Sequence, residues 1–149
     1  MKKLVGAMLV VLTMMLAGCG SNSHATGNIN GNWAATLNSS GTETFAFTTL
    51  LTVNAGGSLG STNFILTLNN SSCGFPATTE SGSFMFMGNF SGQVSGAFQY
   101  TITSTGAEVN TLSLNGTVNN GQITGTWTLS GAGSGCSGNG TFSMTPAAG

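Results

Sequence analysis

From Asn32 onward, apolar and polar residues alternate with a period of two, and short clusters of Gly, Asn and Ser interrupt the alternation. No segment carries apolar residues at i, i+3, i+4 and i+7, so the pattern predicts strands and turns rather than helices. The clearest unit is residues 111–129. With Asn120-Gly121 as a two-residue type I′ turn, Val118 faces Ile123, Gly116 faces Gly125, Leu114 faces Trp127 and Leu112 faces Leu129. That register puts every apolar residue on one face and leaves Ser113, Asn115, Thr117, Thr124, Thr126 and Thr128 on the other. Residues 84–102 repeat the design. A three-residue loop at Ser91 to Gln93 sets Phe90 against Val94, Gly88 against Gly96, Phe86 against Phe98 and Phe84 against Tyr100. The run Gly92-Gln93-Val94-Ser95-Gly96-Ala97-Phe98 echoes Gly121-Gln122-Ile123-Thr124-Gly125-Thr126-Trp127, an internal repeat one hairpin long.

Four further strands are predicted at 32–38, 43–53, 59–68 and 138–145, with one long connection, 69–82, holding Cys73, Pro76 and Glu80. The fold class is therefore all-β: an antiparallel up-and-down meander of about eight strands, closed as a barrel because closure removes exposed edges. A two-sheet β-sandwich is the alternative. Paired glycines beside aromatic residues on the inward face suit a strongly curved sheet, in which rings lie over bare backbone. Gly31-Asn32-Trp33 on the first strand resembles the Gly-x-Trp start of lipocalins, and the later Gly-x-aromatic strands are similar to avidin-like barrels. The resemblance implies a barrel fold and carries over no binding residues. Phe45, Phe47, Phe84, Phe86, Phe98, Tyr100, Leu114 and Trp127 fall on the inward face, where they either pack a plain core or line a cavity for one small apolar ligand. Met85 and Met87 fall outside, beside Ala97, as an apolar patch for a partner.

The first residues break this pattern. Met1, Lys2 and Lys3 precede an apolar run from Leu4 to Leu16, followed by Leu16-Ala17-Gly18-Cys19. A positive start, a short apolar run and small residues before a cut mark a secretory signal, and the run is shorter than the roughly 20 residues of a membrane span. Leu-Ala-Gly-Cys resembles the lipobox of bacterial lipoproteins. That resemblance implies cleavage before Cys19, acyl chains such as palmitate on it, and attachment to a membrane through two or more chains, which suffice for stable anchoring. The expected organisation is a signal peptide at 1–18, a lipidated tether at 19–29, a barrel domain at 30–146 and a tail at 147–149. Gly20 after the cysteine favours the outer membrane in a Gram-negative source. A transmembrane barrel, with apolar residues outward, is the competing arrangement.

Charge narrows the function. Both lysines leave with the signal, so the mature chain holds neither Lys nor Arg and only Glu43, Glu80 and Glu108 as charged side chains. It has no means of neutralising phosphates, which excludes nucleic acid as a partner. Nine Phe and two Trp nevertheless argue for a folded core rather than disorder. Cys73 and Cys136 form an even pair in an exported chain and are expected to join as a disulfide, with free thiols as the alternative. His24, the single histidine, lies in the tether, and the mature chain has no Asp. Without a base to activate a serine, paired carboxylates or a metal-ligand cluster, no enzyme activity, metal or cofactor is expected. The expected protein is an envelope lipoprotein with a non-catalytic binding or structural β domain. Its expected partners are the membrane, through the N-terminal lipid, and either a small apolar ligand or another envelope protein.

Overall fold

The computed structural model describes residues 29–90 and 93–148. The signal segment, Cys19, His24 and the tether up to residue 28 lie outside the described residues, as do Ser91, Gly92 and Gly149. Eight strands follow one another: β1 (Gly31–Ser39), β2 (Thr42–Val53), β3 (Ser58–Asn69), β4 (Thr78–Phe90), β5 (Gln93–Ser104), β6 (Asn110–Asn119), β7 (Gln122–Gly131) and β8 (Ser137–Pro146). Each pairs antiparallel with the next, and β1 closes the barrel against β8 from Trp33↔Pro146 to Asn38↔Thr141. The sandwich alternative is thereby set aside.

The β6–β7 hairpin has the expected register: Val118↔Ile123, Gly116↔Gly125, Leu114↔Trp127 and Leu112↔Leu129. Its turn residues Asn120 and Gly121 both take positive φ, 50° and 72°, as a type I′ turn requires. Ser40 and Gly41 repeat that backbone between β1 and β2.

The second hairpin departs from its expected register. Phe84, not Phe86, pairs with Phe98; Phe86 pairs with Gly96, and Gly88 pairs with Ser95. Pairing continues to Phe90↔Gln93, so the loop has two residues, and a bulge between Phe86 and Gly88 absorbs the difference. Alternation defines which residues share a face, but a slip of two residues preserves every face. Gly96 therefore makes room for the Phe84 ring, which occupies the space a Cβ would take.

Apolar side chains point inward all round the barrel. Trp33, Ala35 and Leu37 of β1, Phe45, Phe47 and Leu51 of β2, and Ile123, Trp127 and Leu129 of β7 are all buried. Thr124, Thr126 and Thr128 of β7 are exposed. This is the reverse of a transmembrane barrel, whose outward band is apolar. No helix among the described residues is long and apolar enough to cross a membrane. Ile29, just before β1, is buried, and its carbonyl accepts a hydrogen bond from Trp33 Nε1 at 2.9 Å. At the other terminus the Ala147 amide donates to the Asn32 carbonyl.

A meander with an even number of strands has two unlike ends. The start of β1 and the end of β8 lie at the near end, together with the connections 54–57 and 120–121, the end of β4 and the start of β5. The far end gathers 40–41, 70–77, 105–109 and 132–136, which include the longer connections. Glu43 near the start of β2, Glu80 near the start of β4 and Glu108 between β5 and β6 all belong to the far end.

Candidate functional site

Seven of the eight residues expected to face a cavity are buried inside the barrel: Phe45, Phe47, Phe84, Phe98, Tyr100, Leu114 and Trp127. Phe86 is not; it is 48 % exposed, because β4 has run past β3 at that point and no strand covers it on that side. The interior rings touch one another. Phe45 stands edge-on to Trp127 at 5.6 Å and to Phe75 at 6.1 Å. A second series runs from Phe64 through Phe47, Tyr100 and Phe98 to Phe142, with centroids 5.1 to 6.3 Å apart. These separations are those of packed aromatic pairs. Trp127 also reaches across to donate its indole N–H to the Asn38 carbonyl at 3.1 Å, and its Nε1 stands where a Cβ on Gly140 would come within 2.7 Å. Rings and bare glycine backbone interlock, and the centre of the barrel is a packed core.

The wall has one weak seam. β3 and β4 share two residue pairs, Ser58↔Ser83 and Leu59↔Gly82, whereas β6 and β7 share ten. Beyond Leu59, β3 diverges from β4, and the 70–77 connection carries Phe75 back against the core. Phe64, Leu66 and Phe75 are only partly buried there.

Behind the seam sits a cluster of hydroxyls. Thr49 Oγ1 and Ser61 Oγ share a hydrogen bond of 2.8 Å, and Ser61 Oγ shares another of 2.6 Å with the Tyr100 hydroxyl. Thr49 and Tyr100 are fully enclosed, so the three satisfy one another where water is scarce. Burial pushes the Tyr100 hydroxyl up from 10.0 to about 12; the charge of Glu80 adds to the rise, and the Ser61 and Thr49 hydroxyls pull against it. At neutral pH the phenol therefore keeps its proton and acts as a hydrogen-bonding group rather than as a base. Composition does not reveal this cluster. Its one signal is Thr49, a polar residue at an inward position between Phe47 and Leu51, which demands a polar partner.

The far end is clamped. Cys73 and Cys136 form the expected disulfide, with a Cα–Cα distance of 5.2 Å. It ties the 70–77 connection to the start of β8. Around it, Asn69 Nδ2 donates to the Cys73 carbonyl, Asn110 Nδ2 to the Gly74 carbonyl, and the Asn110 amide to Ser104 Oγ, each at 2.8 Å. Among the described residues no group of three or more His, Cys, Asp or Glu is placed to hold a metal ion.

Fold and site together define a class: a ring-filled, disulfide-clamped, eight-stranded meander barrel with one loosened seam. The barrel agrees with the lipocalin and avidin-like resemblance in strand number and order. No family model, curated protein or solved structure matches the chain.

Proposed function

We propose that this chain is an exported lipoprotein, held to a membrane through acyl chains on Cys19, and that its barrel is a non-catalytic binding module working from its surface. The observation that carries the reading is the seam. β3 leaves β4 after two pairs, so backbone donors and acceptors beyond Leu59 stand at an open edge flanked by Phe64 and Leu66. Such an edge accepts an extended segment of another protein, with main-chain bonds giving affinity and apolar pockets giving selectivity. The packed ring series favours this over carriage of a ligand inside the barrel. The disulfide suits an oxidising compartment outside the cytosol. In a Gram-negative cell the place is the outer membrane. Nucleic acid, metals and cofactors have no part in the proposal.

Two measurements test it. Mass spectrometry of the mature N-terminus is expected to find an acylated Cys19; an unmodified cysteine, or a start elsewhere, refutes the anchor. Tryptophan emission during titration with fatty acids and small aromatics is expected to stay unchanged, because Trp33 and Trp127 are enclosed by protein. Saturable quenching would return the function to internal carriage. The Thr49–Ser61–Tyr100 cluster favours that second reading, since a ligand entering at the seam would find a phenol there to hydrogen-bond.

A further inference from the structure

The near end of the barrel carries a feature that neither the core nor the seam uses. β4 pairs with β3 at Gly82 and Ser83 and then runs on to Phe90. β5 pairs with β6 from Gly96 onward, yet it begins at Gln93. From Phe84 onward β4 therefore outruns β3 and forms a ribbon with β5: Met85↔Ala97 and Phe86↔Gly96 join it to residues of β5 that still pair with β6, and Gly88↔Ser95 lies past the wall on both sides. Among its described side chains three consecutive apolar ones are exposed: Met85 is 70 % exposed, Phe86 48 % and Met87 71 %. Met85 and Met87 share the outward face, and Phe86 between them is uncovered because β3 does not extend past Ser58; the register shifts between Phe86 and Gly88.

We infer that this ribbon rests in the interface of the lipid bilayer to which the chain is anchored, so that lipid and ribbon together orient the barrel on the membrane. The inference builds on the proposed acylation of Cys19. The position of the chain terminus supports it. Ile29 enters the barrel at the near end, the end from which the ribbon projects. It lies ten positions after Cys19, and that stretch of chain spans at most about 35 Å. Acylation thus holds the near end within reach of the bilayer whatever the path of the linker. The charge distribution supports it as well. All three glutamates of the mature chain are at the far end, where an orientation with the ribbon down leaves them in water. Turning the barrel over would bring carboxylates against the headgroups and leave the Met-Phe-Met surface wet. The mature chain has no basic residue to seek anionic lipid, so the contact is apolar and independent of lipid charge.

Methionine oxidation reads the contact directly, because sulfoxide formation follows access to the sulfur. The acylated protein carrying Val109→Met is reconstituted in phosphatidylcholine vesicles, too sparsely for two copies to share one, and treated with a membrane-impermeant oxidant. Val109 is 54 % exposed at the far end, so the introduced methionine is a solvent-facing reference, and Met144, enclosed in the core, is a protected one. Met85 and Met87 are expected to oxidise at least about fivefold more slowly than the introduced methionine, and equally slowly when phosphatidylglycerol is added to the vesicles. Rates equal to the reference overturn the contact while leaving the anchor intact. Protection that appears only at high protein density identifies a second copy of the chain as the occupant and also overturns it. An N-terminal peptide without acyl chains in the same digest overturns the anchor and the inference together.

Discussion

Tyr100 shows how far one side chain reports on the whole barrel. It is the single tyrosine of the chain, so its titration is read without overlap from phenolate absorbance. Its folded value of about 12 lies above the ordinary 10.0. The unfolded chain thus loses this proton first as pH rises. The corresponding stability is present in full below pH 10 and is lost as pH climbs from 10 toward 12. The window is worth about 2–3 kcal/mol. Urea midpoints measured across it are expected to fall, and Tyr100→Phe is expected to flatten that fall; a folded phenol that titrates near 10 would contradict the enclosure. Glycines give a second test at this scale. A Cβ on Gly125 would stand 2.5 Å from Gly116 Cα and collide with the Asn115 carbonyl, so Gly125→Ala is expected to cost about 1–3 kcal/mol in denaturant unfolding. At Gly74 the nearest atom is Pro76 Cδ at 3.9 Å, and Gly74→Ala is expected to stay within about 0.5 kcal/mol. Equal costs at the two positions would refute the close approach of backbones at the Gly116–Gly125 pair.

At the scale of elements, the two hairpins make a controlled comparison. β6–β7 was legible to the residue because Asn120-Gly121 admits one turn type and the turn then dictates every pair. β4–β5 offered no such anchor. Phe84, Phe86, Phe98 and Tyr100 keep their parity in more than one register, and the bulge after Phe86, which moves Gly88 opposite Ser95, depends on packing that a local pattern does not contain. The same reason hid the exposure of Phe86: a residue of inward parity is buried only where a strand lies across from it, and β3 ends its pairing with β4 at Ser58 and Leu59. The hydroxyl cluster was equally out of sight, since Thr49, Ser61 and Tyr100 come from three strands and nothing in the spacing of 49, 61 and 100 announces their meeting.

For the whole molecule, the consequential fact is that its ends differ. The start of β1, the end of β8 and the apolar ribbon occupy one end; the disulfide, the long 70–77 connection and the carboxylates occupy the other. The Cys73–Cys136 bridge spans a sequence separation of 63, and restraining a loop of that length in the unfolded chain is worth about 4 kcal/mol. Reduction, or Cys73→Ser with Cys136→Ser, is expected to lower the urea midpoint accordingly. An unchanged midpoint would mean that the Asn69, Ser104 and Asn110 hydrogen bonds hold the far end unaided.

By itself the sequence determined the all-β class, the strand count, the inward face, the β6–β7 register and the pairing of the cysteines. Each of these follows from local alternation, from a turn with one permitted geometry, or from the parity of a residue count. Only the tertiary structure decided closure through β1 and β8, the loosened β3–β4 seam, the filling of the interior by interlocked rings, and the ribbon at the near end. These depend on which strands lie side by side and how far each outruns its neighbour, and such relations arise between residues far apart in the chain.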